Sequence, residues 1–91
     1  MPPTIEPTVG RTVHYVLPAL SGNPGKHRAA IITEVWCRMA HATHPGMSNL
    51  TVFPSQHGDF PAMPGTPAFS VGSVSYDAGG APGTWHWPER A

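Results

Sequence analysis

Apolar and polar residues alternate in short runs along this chain, and prolines and glycines cut the runs apart. Across 9–17, Val9, Val13, Tyr15 and Leu17 fall on one side of an extended segment, with Thr12, His14 and Val16 on the other, and Pro18 ends it. Residues 18–26 read Pro-Ala-Leu-Ser-Gly-Asn-Pro-Gly-Lys, with turn chemistry at nearly every position. After His27, the run 28–36 is β-branched and apolar on both faces, which predicts a central strand covered on both sides. Ala29, Ala30 and Glu34 would suit a helix. Ile31, Ile32, Thr33 and Val35 favour the strand, and no capping residue precedes the run.

A loop over 37–47, rich in His, Ala and Met, leads to a third strand at 49–53 that Pro54 stops. Residues 54–68 carry Pro54, Gly58, Pro61, Pro64, Gly65 and Pro67, too many breakers for a helix, so a long irregular connection is expected there. Residues 69–76 alternate weakly as a fourth strand in which Gly72 marks a bulge or bend. The Gly-Gly-Ala-Pro-Gly turn at 79–83 delivers a last strand at 84–87, with Trp85 and Trp87 on one face and Thr84 and His86 on the other. Five short strands and no helix predict an all-β fold: a small five-stranded, strongly bent antiparallel sheet or SH3-like barrel with long Pro/Gly-rich loops. A single domain over 9–91 follows an extended, polyproline-prone arm over 1–8, expected either to be disordered alone or to strap onto a neighbouring subunit.

Composition narrows the function. A chain of 91 residues supports one core that buries about 60–65% of its unfolded surface, too little for large multi-part catalytic machinery. Charged residues make up 11% of the chain and cancel to zero net charge, against about 25% in an average domain. Arg11, Lys26, Arg28, Arg38 and Arg90 are scattered, so duplex nucleic acid is not an expected partner. A neutral surface eases self-association, and a homo-oligomer is expected. Cys37 is the only cysteine, so no intrachain disulfide forms and Cys37 reads as a packing residue. The N-terminus has neither the basic start nor the apolar stretch of a signal peptide, and no segment is long and apolar enough to cross a membrane as a helix. The expected location is the cytoplasm, with no membrane partner.

Candidate chemistry gathers on the strands. If the sheet brings His86 near His14, Tyr15 or Arg28, the cluster supplies phosphate donors beside an aromatic surface, a combination that suits a nucleotide-like ligand. The expected binding set is His14, Tyr15, Arg28, Trp85 and His86, although core filling is favoured over ligand stacking for Trp85 and Trp87 themselves. His41 and His44 stand three apart in the loop that follows Cys37, and His57 and Asp59 offer a further pair. With one cysteine and no second close ligand pair, solvated loop histidines are expected there, and neither a metal nor a cofactor. Hydrolase-elbow, phosphate-loop and zinc-protease motifs are absent, and the five carboxylates form no local pair. No catalytic residue is assigned. Asp77, before the glycine-rich turn, reads as an Asx-type backbone acceptor.

Taken in order, Val13-His-Tyr-Val16, Arg28-Ala-Ala-Ile-Ile32, Asn49-Leu-Thr-Val-Phe53, Val74-Ser-Tyr-Asp77 and Pro82-Gly-Thr-Trp-His-Trp-Pro-Glu89 resemble a family of small proteins of bacteriophages, prophages and some bacterial genomes. The similarity spans roughly 9–90, and the Gly-Thr-Trp-His-Trp-Pro ending is its specific part. The resemblance implies a phage-type context in the host cell cytoplasm and supplies no catalytic residues. By analogy with small phage proteins that capture the nucleotide signals of bacterial immunity, it implies a non-enzymatic, anti-defence binding protein. A virion or assembly component is the alternative, and a nucleotide-cleaving enzyme using His14 and His86 a third.

Overall fold

Five strands form where the alternation predicts them: β1 (Thr12–Val16), β2 (His27–Val35), β3 (Ser48–Val52), β4 (Phe69–Val74) and β5 (Trp85–His86). The computed structural model describes residues 5–19, 21–54, 59 and 67–88. The strands make one antiparallel sheet in the order β4-β3-β2-β1-β5. The sheet curls strongly into a half-barrel, and no helix occurs among the described residues. Just past β4, Tyr76 bridges to Trp85, with the Trp85 amide donating to the Ser75 carbonyl at 3.1 Å and the Asp77 amide to the Trp85 carbonyl at 2.9 Å. The chain that leaves one edge thereby covers part of the other, limiting the unpaired backbone a curled sheet would expose.

The inner face collects every second residue. Val13, Tyr15, Ala30, Ile32, Leu50, Val52, Val74 and Trp85 are buried together with Leu17. Two irregularities bend the sheet around them. Thr33 is the extra residue of β2 against β3, because Ile32 pairs with Leu50 and Glu34 with Asn49. Gly72 and Ser73 hold the extra residue of β4, where Ser73 takes the left-handed φ of 56°. The Asn49 carboxamide accepts from the Ser73 amide at 3.0 Å and the Trp36 indole at 2.9 Å, pinning this bulge from the neighbouring strand. Such bulges increase strand twist and bending, and the one at Gly72 is where the sequence places it.

Two expectations are corrected. β2 is the central strand but is covered on one face only, since His27, Ala29, Thr33 and Glu34 are exposed. Val9, expected on the Val13 face, lies before β1 in a turn and is 67% exposed. Of the 1–8 arm, the described part packs on its own chain: Pro7 is buried, and the Glu6 carboxylate accepts the Met39 amide at 3.0 Å. Residues 1–4, most of the 54–68 connection including His57, and Glu89 and Arg90 lie outside the described residues.

Candidate functional site

The β1–β5 ladder pairs His14 with His86 and Tyr15 with Trp85. Directly opposed residues of an antiparallel pair share a face, and successive residues alternate. The Tyr15–Trp85 pair therefore enters the core and the His14–His86 pair takes the outer face. On the other side of β1, Val16 pairs with His27 and His14 with Ala29. His27 is thus the diagonal neighbour of His14 on that same outer face, within reach of long or aromatic side chains.

Three imidazoles from three adjacent strands meet there. Ring centroids are 4.7 Å apart for His27 and His86, 5.5 Å for His14 and His86, and 6.2 Å for His14 and His27. One nitrogen from each ring can be chosen so that all three lie within 4.8 Å of one another. Burial is graded, with His86 only 6% exposed, His14 half-buried and His27 exposed. The Nδ1 of His14 is buried and has no hydrogen-bond partner among the described residues. Gly80 stands beside the open end, where a Cβ would come within 3.9 Å of His27 Nε2. Its turn is held by Asp77, whose carboxylate accepts the Gly79 and Ala81 amides at 3.2 and 2.9 Å, the Asx-type role expected of it.

The five residues expected to bind one ligand do not share one pocket. His14 and His86 come together as required. Tyr15 and Trp85 face inward, where the Trp85 indole donates to the Gly46 carbonyl at 3.0 Å and burial pushes the Tyr15 phenol up from its ordinary pKa. Trp87 packs edge-on against Trp85 at 5.0 Å, and the Arg11 guanidinium lies 5.0 Å from the Trp87 ring centroid. Arg28 is opposite Tyr15 and so on the face away from the histidines. Its guanidinium is engaged by the fully buried Asp59, through Nε to Oδ2 at 2.6 Å and Nη2 to Oδ1 at 2.9 Å, while the Asn23 amide donates to Oδ1 at 2.7 Å. These hydrogen bonds to Asp59 raise the Arg28 pKa above its ordinary value. A bidentate fork of this kind satisfies a carboxylate that would otherwise be costly to bury.

His27 is the residue the sequence did not single out. Its signal was faint: it sits just before the apolar run, and only the register across the 17–26 turn puts it beside His14. The loop pair His41 and His44 stacks with centroids 5.7 Å apart, but His41 Nδ1 accepts the backbone amides of Thr43 and His44 and so shapes its own turn. Among the described residues, His14, His27 and His86 form the one group with metal-ligand spacing. Comparison of the chain with protein-family models, curated proteins and solved structures finds no match.

Proposed function

We propose that this chain is a non-enzymatic binding protein that captures a small ligand on the outer face of β1, β2 and β5, at His14, His27 and His86. The observation that supports this reading is the convergence of three imidazoles whose ring nitrogens lie within 4.8 Å of one another. Imidazole offers a lone pair and an N–H from one ring, so the trio can accept and donate at a single point. Its burial gradient, from His86 as floor to His27 as rim, leaves one open side. Tyr15 and Trp85 are buried in the core, so the ligand is recognised at this face by imidazole rather than by stacking on those rings. The phage-type resemblance makes a phosphate-bearing nucleotide signal in the host cytoplasm one candidate ligand.

Isothermal titration of the protein with a nucleotide panel and with divalent metal ions tests the reading. A ligand that binds wild type, loses affinity in His27→Ala and is recovered chemically intact supports it. Binding indifferent to His27→Ala and His14→Ala, or a ligand recovered cleaved, contradicts it. A second reading, a protein-contact role in a virion or assembly, draws support from Ile5, Val9, Trp36 and Phe53, all large, apolar and at least 41% exposed. Light scattering that shows self-association disrupted by Trp36→Ser or Phe53→Ser would favour it.

A further inference from the structure

We propose that the ligand of this face is a divalent first-row transition-metal ion of the zinc class, bound by one nitrogen each from His14, His27 and His86. The inference rests on the preceding reading of the face as a binding site and names what it binds.

Zinc bonds histidine nitrogen at about 2.0–2.1 Å, which in a tetrahedral site sets the nitrogens about 3.3 Å apart. The three nitrogens of this face already fall within 4.8 Å of one another. His14 and His86 are held opposite each other by the β1–β5 ladder, and His27 is fixed diagonally by the β1–β2 ladder. Three backbone positions are therefore set by sheet hydrogen bonds, and only side-chain torsions need adjust to close the ligand set. Staggered rotamers of histidine swing the ring nitrogens by more than the shortfall. A site on strands is also better preorganised than one on the 37–47 loop, where His41 is committed to backbone amides.

Chemistry selects the class of ion. Imidazole suits zinc, copper and nickel, whereas calcium and magnesium require oxygen ligands. His14 adds an independent observation: its Nδ1 is buried without a partner among the described residues. An unsatisfied buried polar atom is destabilising, so such an atom calls for a partner. Metal coordination fixes the ring orientation and tautomer of a histidine and so determines what its second nitrogen must do. Three protein nitrogens leave a fourth position of a tetrahedral ion open. The exposed His27 side of the cluster, beside Gly80, is where solvent or a small anion would enter.

Visible absorption of the metal-free protein titrated with Co²⁺ tests this, with Zn²⁺ added afterwards as competitor. The expected result is one ion per chain, with the intense d–d bands of four-coordinate cobalt, displaced by Zn²⁺. His27→Ala, which removes an exposed ring, should weaken binding by about a hundredfold or more. His14→Ala should do the same, and His41→Ala should leave binding unchanged. His86 is buried, so the exposed His27 variant gives the decisive reading even where His86→Ala fails to fold. Cobalt that binds no more tightly than to His27→Ala overturns the metal assignment. Parallel titration of the metal-free protein with inorganic phosphate, adenosine monophosphate and a cyclic dinucleotide separates the two levels. Metal-independent, His27-dependent binding of one of these keeps the site and overturns the ion, while failure of all probes overturns both.

Discussion

His14 lies directly across from His86 on the β1–β5 ladder, with their rings 5.5 Å apart and edge to face. The pair one step along, Tyr15 and Trp85, points the opposite way into the core. Two adjacent rungs of one short ladder thus divide the labour between holding the fold together and presenting a polar face.

Arg28 belongs to the first of these tasks. Arg28→Ala removes the two-bond guanidinium fork from the buried Asp59 carboxylate, to which the Asn23 amide also donates. Removing one partner of a buried pair costs about 3–5 kcal/mol. Urea unfolding should show a loss in that range. Metal or small-ligand affinity at the histidine face, measured on the folded fraction, should change little. An Arg28→Ala protein of wild-type stability that no longer binds ligand would instead return Arg28 to the binding site.

Trp85 and Trp36 make a matched contrast. Trp85→Ala empties the centre of the core and should cost about 3–5 kcal/mol. Trp36 is 56% exposed and donates one hydrogen bond to Asn49, so Trp36→Ala should cost about 1 kcal/mol. Denaturation midpoints of the two variants measure the difference.

Gly46 is the turn glycine that the core requires. It has φ of 62°, and a Cβ there would come within 2.7 Å of Met39 Sδ, 3.0 Å of Trp85 Cζ2 and 3.2 Å of Tyr76 Cβ. The thioether can move, but the indole and the Tyr76 stem are packed. Gly46→Ala should therefore destabilise by about 2–3 kcal/mol, from overpacking added to left-handed strain. Gly10 also has positive φ, with nothing within 4 Å of its Cβ position, so Gly10→Ala should cost only the backbone strain, about 1 kcal/mol. Thermal melts of the pair check the ranking.

Tyr15 gives the fold an alkaline limit. Its pKa is raised by burial, so the folded state holds the phenolic proton more tightly than the unfolded state does. The stability this linkage supports is complete below the unfolded value of about 10 and is lost as pH rises from there through the folded value. Tyr15→Phe should remove that part of the alkaline loss, flattening stability above about pH 10. Denaturation midpoints of both proteins between neutral and alkaline pH give the comparison.

Much of this architecture is legible in the sequence because strand period and turn residues are local signals. Alternation at Val13, Tyr15, Leu50 and Val52 marks the core face, and Gly72 marks its bulge. Trp85 and His86 divide between two faces as adjacent residues in any strand must. Three features escaped because they depend on partners distant along the chain. His27 joins His14 only through the register of β1 with β2. Arg28 is claimed by Asp59, 31 residues away, in a connection whose composition announces only irregularity. β2 is apolar in sequence on both sides, yet the sheet curls around one face and leaves Ala29 exposed on the other. Two of the three members of the histidine face, His14 and His86, are therefore legible in the sequence, and His27 and the convergence of the three rings are not.

The most direct test of the central claim is which of the six histidines respond to a metal ion. Long-range ¹⁵N–¹H spectra of the imidazoles, recorded during Zn²⁺ addition to one equivalent, resolve each ring separately. His14, His27 and His86 should move together to coordinated-nitrogen shifts and saturate at one ion per chain, while His41 and His44 stay in place. Response of His41 and His44 first, or weak and unsaturated drift of all six, would contradict it.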